Sequence, residues 1–401
     1  MLVAHMSPAM VMKSEESYDD NDEREVYHHQ YQKGVKQLVE NGRIHTLPQR
    51  YILPASDRPI ITTSEEQDDD SNFVGNPKIE LPIIDFSELI GPNRPQALQS
   101  LAHACQHYGF FQLVNHGISE EVIRKMKDVM GRFFNQAYEE RAKHMTSDMK
   151  AAVRYGTSFS QNKDSVFCWR DFLKLLCHPL SHYLPHWPQS PMDLREVAAT
   201  YAEETNNLFL KLMEAILESL GIKEEEEDED EDDNNNNIMK KLEEGGSQMM
   251  VANLYPPCPE PDLTLGMPPH SDYGLLTLLL QDEEVEGLQI QFQGKWLTVK
   301  PISNAFVVNV GDHLEIFSNG IYKSVLHRVL VNARKSRTSV ASLHSLPFNC
   351  TVKPSLKLIN DANPKRYKDT DFHTFLAYVS SREPKGKDFL HSRKLTSFTS
   401  H

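Results

Sequence analysis

The pattern of apolar and polar positions in the C-terminal half of the chain is typical of short β-strands separated by turns. Leu275 to Leu280 is almost continuously apolar, and Leu288, Ile290 and Phe292 alternate with glutamines. Ala305 to Val310 is rich in β-branched residues, which favour strands. Short strands at this spacing, separated by turn residues, predict an antiparallel sandwich or barrel.

Helical periodicity is more frequent before this region, and the first helix is predicted from Tyr31 to Leu47. Gln96 to His107 places its apolar residues on one stripe, and Ser119 is a suitable N-cap for a second helix. Arg195 to Leu220 is the longest helical pattern, and Gly221 suits the position just after its end. Arg154 to Leu176 reads instead as a pair of strands rich in aromatic residues. We therefore expect helices packed outside a β core.

Composition narrows the class of protein. The net charge is −15, and the acidic run Glu224 to Asp233 supplies ten of the negative charges, so nucleic-acid binding is not expected. The five cysteines are odd in number and scattered, which predicts reduced thiols in the cytoplasm or, as the second choice, the nucleus. No apolar run is long enough to predict a signal peptide or a membrane span.

A histidine and an aspartate open the β-rich region. Residues i and i+2 of a strand face the same side, so His270 and Asp272 can present an imidazole and a carboxylate to one point. His327 shares strand parity with Val325 and Val329, which predicts that it points into an apolar interior. Two histidines and one carboxylate suit non-haem Fe(II) and leave coordination positions open. The same set of ligands can also hold catalytic zinc.

A possible anion anchor follows the second histidine. Arg337 and Ser339 repeat the i, i+2 geometry on the next strand. A guanidinium with an adjacent hydroxyl is well shaped to hold one carboxylate by paired, charge-assisted hydrogen bonds. A short dicarboxylic acid could therefore bind the metal with one end and this anchor with the other.

Each of these motifs, taken alone, has a more ordinary interpretation. H-x-D is common by chance, a histidine in a strand is most often a core residue, and R-x-S is most often an exposed ion-pair partner. Order and spacing together favour a site, because His327 follows Asp272 by 55 residues and Arg337 follows His327 by 10. We expect structural roles for three other histidines: His116, His313, which lies in a predicted turn beside Gly311 and Asp312, and His344.

With these motifs the sequence resembles the plant-type 2-oxoglutarate- and Fe(II)-dependent dioxygenases, the group that contains flavonoid, gibberellin and salicylate oxygenases. Their Asn-x-Tyr-Pro stretch is matched by residues 253–256. The resemblance implies that iron is bound by His270, Asp272 and His327. It also implies that 2-oxoglutarate is bound by Arg337, Ser339, Tyr255 and Asn253.

The resemblance further implies a fold and a reaction. The fold is mainly β with flanking helices around a double-stranded β-helix, or jelly roll. The reaction consumes O₂ and 2-oxoglutarate, with ascorbate as a supporting reductant, and releases succinate and CO₂ while a small organic substrate is hydroxylated or desaturated. Aromatic residues near the expected pocket favour a phenolic or flavonoid-like substrate. Candidates for the substrate wall are Tyr155, Phe159 and Leu343, and a monomer is expected.

These features predict one catalytic domain with several segments. They are a disordered N-terminus (1–30), a helical and extended lead-in (31–80), a helix-rich N-terminal part (81–245) with an acidic disordered insert (224–237), the Fe(II)/2-oxoglutarate jelly-roll core (246–350) and a C-terminal helical segment (351–401).

Two alternatives remain open at this point. The first is an oxidase of the same fold that uses iron and O₂ without 2-oxoglutarate, which would not need Arg337 or Ser339. The second is a binding or regulatory protein without turnover, which would not need three metal ligands. Succinate formation separates both alternatives from the dioxygenase.

Overall fold

Two β-sheets that share an apolar interior form the centre of the fold in the computed structural model. The structure describes residues 34–40, 44–59, 77–158, 164–222, 238–381 and 386–395. The predicted disordered N-terminus (1–30) and acidic insert (224–237) lie outside the described residues. Among the described residues, no helix is both long and apolar enough to cross a membrane.

The larger sheet has eight strands in the order β2-β3-β11-β8-β13-β6-β5-β4. Its strands are β2 (Ile83–Asp85), β3 (Phe110–Val114), β4 (Val153–Thr157), β5 (Asp171–Leu176), β6 (Ser247–Tyr255), β8 (Leu276–Gln281), β11 (Phe306–Val310) and β13 (Arg337–Ser345).

The smaller sheet has five strands in the order β1-β10-β9-β12-β7. Its strands are β1 (Lys78–Ile79), β7 (Met267–His270), β9 (Leu288–Phe292), β10 (Lys295–Val299) and β12 (His327–Val329). Most pairings in both sheets are antiparallel, as the sequence pattern predicted.

Eleven α-helices lie along the described residues. They are α1 (Val35–Glu40), α2 (Phe86–Leu89), α3 (Arg94–His103), α4 (Glu120–Phe134), α5 (Tyr138–Ala142), α6 (Leu180–Tyr183), α7 (Leu194–Ser219), α8 (Ile238–Gly245), α9 (Asp312–Phe317), α10 (Phe372–Ser381) and α11 (Asp388–Arg393). Short 3₁₀ turns lie at Gln49–Tyr51, Ala55–Asp57, Leu184–His186 and Leu356–Leu358.

The two faces of the larger sheet have different partners. Its outer face packs against α4 and α7, which contribute side chains such as Phe133 and Leu212 to the main apolar core. Its inner face turns towards the smaller sheet, where Phe110 and Val307 share a second core with Ile290. Because successive residues of a strand alternate between the two faces, strand parity decides which side chains can reach the interior of the jelly roll.

Local sequence signals explain several helix ends. The Ser119 hydroxyl accepts a hydrogen bond from the Val122 amide at 3.3 Å, as expected of an N-cap. Gly221 follows α7 with a φ of +76°, which confirms its predicted place. Gly109 ends a π-helical turn (Ala104–Tyr108) with a φ of +63°, and a Cβ there would lie 2.2 Å from the Lys323 carbonyl oxygen.

Two sequence predictions need correction. The single helix predicted from Tyr31 to Leu47 is only α1 within the described residues, and the Leu47 amide donates to the Glu260 carboxylate instead of to a helical carbonyl. The turn predicted around His313 is the short helix α9.

A buried carboxylate fixes the N-terminal lead-in to the larger sheet. Asp171 is fully buried, and its two oxygens accept hydrogen bonds from the backbone amides of Val35 (2.8 Å) and Lys36 (3.0 Å) at the start of α1. The Tyr155 hydroxyl and the buried Arg141 guanidinium lie on the same carboxylate. Burial raises the pKa of Asp171, whereas the amide donors and Arg141 lower it in part.

We expect Asp171→Ala to lower the free energy of unfolding by about 3 kcal/mol, because it leaves two buried backbone amides and the Tyr155 hydroxyl without their acceptor and removes one of the two carboxylates near the buried Arg141 guanidinium. The urea unfolding midpoint of purified protein measures this. Asp128→Ala, which removes an exposed partner of Arg132, is the control and should change the midpoint little. Equal effects of the two substitutions would contradict a structural role for Asp171.

Candidate metal and co-substrate site

Strand pairing brings together two histidines that are distant in sequence. β12 pairs with β7 in antiparallel register, and His327 lies directly opposite His270. Their ring centroids are 4.1 Å apart, and the His327 ring also contacts Phe110 from the larger sheet. The prediction that His327 points into an apolar interior is therefore confirmed.

Asp272 completes a three-residue cluster. Its Oδ1 lies 3.8 Å from Nε2 of His270 and 3.7 Å from Nε2 of His327. One ligand atom from each residue lies within 4.8 Å of the other two, which is compatible with a single metal ion between them. Among the described residues, this is the cluster of His, Cys, Asp and Glu with metal-binding geometry.

Backbone carbonyls orient both imidazoles. Nδ1 of His270 lies 2.8 Å from the Pro268 carbonyl oxygen, and Nδ1 of His327 lies 3.2 Å from that of Val325. A carbonyl oxygen only accepts, so each Nδ1 carries the proton and each Nε2 keeps its lone pair for the metal.

Asp272 lies beyond the end of β7, so its side chain is not placed by strand alternation as the sequence argument assumed. Two buried polar side chains of the larger sheet place it instead. The Thr277 hydroxyl (2.6 Å) and the Asn309 amide (2.8 Å) both donate to Oδ2, which leaves Oδ1 facing the histidines.

The electrostatics of the cluster favour a bound cation. Burial and the adjacent His327 lower the pKa of His270 to about 4, so its ring is neutral near pH 7. Burial raises the pKa of Asp272, but the neighbouring histidines and the Thr277 and Asn309 donors outweigh it and lower the pKa overall. Neutral imidazoles and an ionised carboxylate are the protonation states that metal ligands require.

A second buried carboxylate supports the turn that carries Asp272. Asp312 accepts hydrogen bonds from the hydroxyls of Ser271 (3.2 Å) and Ser324 (2.7 Å), and its amide donates to the Asp272 carbonyl oxygen at 2.7 Å. Burial raises the pKa of Asp312 to about 7. This contact fixes α9 against the metal-binding turn.

The predicted carboxylate anchor lies on the inner face of the same sheet. Arg337 and Ser339 are both buried on β13, and the Arg337 guanidinium lies 5.4 Å from the centre of the Tyr255 ring. Nη2 of Arg337 donates to Gln281 Oε1 at 3.3 Å, but Nε and Nη1 are buried without an acceptor. Gln281 Nε2 is a third buried donor without a partner, so the site offers several donors for one anion.

The register of the strands assembles the rest of the anchor. On β6, Tyr255 pairs with Arg337 and Asn253 pairs with Ser339, and on β8 Gln281 pairs with Ser339 from the other side. Asn253 Nδ2 donates to the Ser339 hydroxyl at 3.5 Å. The four residues predicted to bind the co-substrate therefore lie together.

The three candidates for the substrate wall have different positions. Tyr155 points to the outer, helix-packed face, where its hydroxyl contacts Arg141 and its ring packs on Phe133, so the structure does not bring it to the metal. Phe159 lies outside the described residues. Leu343 is half-buried and shares the inner face of β13 with Arg337 and Ser339, so it remains a candidate.

The three histidines with expected structural roles lie in other contacts. His116 bonds the Asn304 carbonyl and accepts from the Ile118 amide. His313 bonds the Ser345 hydroxyl, and His344 bonds the Ser342 hydroxyl on the outer face.

Sequence reasoning missed the residues that position the metal ligand and the anchor, namely Thr277, Asn309 and Gln281. One signal was visible, since Asn309 interrupts an otherwise apolar strand and a buried amide needs a partner. Its partner could not be named, because that depends on the pairing of β11 with β8.

Comparison with known proteins agrees with this geometry. Residues 246–345 match the family model described as the 2OG-Fe(II) oxygenase superfamily, and residues 81–190 match the N-terminal model of non-haem dioxygenases in morphine synthesis. An Arabidopsis thaliana relative, Protein DMR6-LIKE OXYGENASE 2, is 42% identical over 315 residues, which cover 79% of this chain and 84% of the relative. The chain belongs to the 2-oxoglutarate- and Fe(II)-dependent dioxygenases.

Two further relatives extend the comparison. Flavanone 3-dioxygenase 2 of Oryza sativa subsp. japonica is 37% identical over 346 residues, which cover 86% of this dioxygenase and 94% of the relative. The crystal structure of JOX2 in complex with 2OG, Fe and JA has a TM-score of 0.76 and 32% identity, and the match covers 90% of this chain and 98% of that one. The jelly-roll fold expected from the sequence is confirmed.

The residues present fit both groups that this family uses. His270, Asp272 and His327 form a facial set of two imidazoles and one carboxylate, the set preferred by non-haem Fe(II). The buried donors of Arg337 that lack acceptors fit the distal carboxylate of 2-oxoglutarate.

We expect Thr277→Val to weaken metal binding by roughly 10- to 100-fold, because the carboxylate of Asp272 loses the donor that orients it. Anaerobic calorimetric titration with Fe(II) measures the affinity. Thr298→Val is a matched control, since Thr298 is equally buried but bonds Gln289 on the outside of the smaller sheet. Unchanged affinity in Thr277→Val would show that Asp272 does not need this contact.

Proposed function

We propose that this dioxygenase hydroxylates or desaturates a small planar metabolite of the phenolic or flavonoid-like class. One observation supports the dioxygenase chemistry most strongly. The metal cluster and the anchor of Arg337 and Ser339 occupy the same jelly-roll interior, contributed by the two sheets.

The site residues have two roles, which are ligation of the metal and orientation of the co-substrate. When bound, iron(II) and 2-oxoglutarate supply the oxidation, in which O₂ is consumed, 2-oxoglutarate gives succinate and CO₂, and the substrate is oxidised. His270, Asp272 and His327 hold the metal, while Arg337 and Ser339 fix the far carboxylate of the co-substrate. No protein nucleophile is required, because the protein supplies binding, orientation and exclusion of water.

Aromatic side chains beside the metal-binding turn support a planar substrate. Tyr273 directly follows Asp272, and its ring stacks on Phe375 of α10 at 4.0 Å. Phe389 of α11 packs on the edge of Phe375 at 5.2 Å. Aromatic walls with few polar groups are typical of sites for planar ligands. The name of the rice relative, flavanone 3-dioxygenase 2, agrees with this class.

The C-terminal segment is fixed beside the same opening. The Gly386 amide donates to the Pro269 carbonyl oxygen at 3.2 Å, next to His270. Nζ of Lys387 lies 3.3 Å from the buried Glu315 carboxylate of α9. These contacts hold α11 where it can help to close the substrate site.

The proposal is tested by succinate release from 2-oxoglutarate with Fe(II), ascorbate and O₂, across flavonoids, salicylate and gibberellin precursors. We expect at least one phenolic compound to stimulate succinate release in the wild type, and His270→Ala to abolish it. Product formation without succinate would instead indicate an oxidase of the same fold that does not use 2-oxoglutarate. Tight iron binding without any turnover would favour a non-catalytic role.

We expect Arg337→Ala to raise the KM for 2-oxoglutarate roughly 100-fold, because the distal carboxylate loses a buried charge partner. Steady-state succinate release at varied 2-oxoglutarate measures the KM. Arg195→Ala removes a guanidinium that bonds the Trp187 carbonyl at the start of α7, and it should leave the KM unchanged. A normal KM in Arg337→Ala would place the co-substrate elsewhere.

A further inference from the structure

A second buried arginine lies on the inner face of the larger sheet. Arg170 directly precedes β5 and is only 6% exposed. Its neighbour Asp171 points outwards to α1, so strand alternation directs Arg170 towards the jelly-roll interior. Nη1 donates to Asn253 Oδ1 at 3.1 Å, which places the guanidinium beside the co-substrate anchor.

The Arg170 guanidinium has a buried N–H donor without an acceptor. Besides the contact with Asn253, Nη2 donates to the Ser158 carbonyl oxygen at 2.9 Å, and Nε is buried without an acceptor. Among the described residues, no carboxylate forms an ion pair with Arg170, and both of its hydrogen-bond acceptors are uncharged. A buried charge without a counter-charge is costly, so a protein retains one where a ligand compensates it.

With metal and co-substrate bound, the positive charge of Arg170 would have no counter-charge in the site. Iron(II) with Asp272 has one net positive charge, and the 2-oxoglutarate dianion with Arg337 has one net negative charge, so these cancel. The charge of Arg170 is then unbalanced within the same interior.

The surroundings of Arg170 favour a flat ligand. Its guanidinium lies 4.9 Å from the centre of the Phe172 ring, and Phe172 pairs across the sheet with Asn253. Arg154 stacks on the same ring at 5.2 Å, but its Nε donates to the Thr146 carbonyl oxygen in the loop before β4. Arg170 therefore borders the anchor residues, whereas Arg154 reaches away from them.

We propose that Arg170 binds a carboxylate of the organic substrate, so that the substrate is a small organic acid, an aromatic one in preference, and not a neutral flavonoid. This inference rests on the proposed function and narrows its substrate class. A paired contact of guanidinium and carboxylate would give both charge balance and a fixed orientation.

The test compares acids with their neutral amides. Salicylate, indole-3-acetate and the carboxamide of each are titrated calorimetrically into protein loaded with Mn(II) and 2-oxoglutarate, so that binding is read without turnover. We expect an acid to bind wild type at least about 30-fold more tightly than its amide, and Arg170→Gln to remove this preference. Arg170→Lys should retain only part of it, because an ammonium cannot make the paired contact.

Two controls separate binding of the substrate from other roles. Arg154→Gln removes the other guanidinium on Phe172 and should leave the preference for the acid unchanged. The affinity for 2-oxoglutarate, measured in the same way, should change less than about threefold in Arg170→Gln. An equal loss of affinity for 2-oxoglutarate and for acid would overturn the proposal, because Arg170 would then act by positioning Asn253.

The proposal is also overturned if no acid in this set binds wild type more tightly than its amide. The outcome is independent of the succinate assay. An enzyme that binds acids through Arg170 but releases no succinate would contradict the proposed function and leave this inference intact. Succinate release stimulated equally by acid and amide would contradict this inference and leave the proposed function intact.

Discussion

The register of β12 against β7 is the constraint on which the site depends. It places His327 directly opposite His270, although 57 residues separate them in the sequence. A slip of one residue would turn His327 out of the interior and replace it with Arg328 or Leu326. The register is strongly specified because Val329 and Ile290 must also stay buried next to these strands. Burial of apolar side chains thus determines the geometry of a polar metal site.

The larger sheet contributes by positioning charged groups and not by ligating the metal. Thr277 and Asn309 hold one oxygen of Asp272, and Arg337 is kept buried with donors that lack acceptors. Burial lowers the pKa of Arg337, which reflects the cost of keeping its charge out of water. An anionic co-substrate would offset that cost on binding, so the burial of Arg337 favours a tightly held dicarboxylate.

Sequence motifs identified the candidate ligands and the candidate anchor more readily than the residues that support them. His270, Asp272 and His327 are recognisable by residue type, order and spacing, and the family resemblance adds Tyr255 and Asn253. Thr277 and Gln281 were not predictable, because their roles follow from cross-strand register. Tyr155 shows that an aromatic residue in the expected region need not line the pocket. Strand alternation turns it to the outer face of the sheet, where it packs against Phe133. The helix predicted from Tyr31 does not continue to Leu47, because the Leu47 amide donates to the carboxylate of the distant Glu260.

The most direct test of the central claim is an anaerobic titration of 2-oxoglutarate into the Fe(II)-loaded protein, followed by visible absorption. A 2-oxo acid that chelates Fe(II) gives a charge-transfer band, which reports metal and co-substrate in one site. We expect a saturable band in the wild type, none in Asp272→Ala, and a band that needs much more 2-oxoglutarate in Arg337→Ala. A band of normal strength and affinity in both variants would contradict the binding of metal by Asp272 and of 2-oxoglutarate by Arg337.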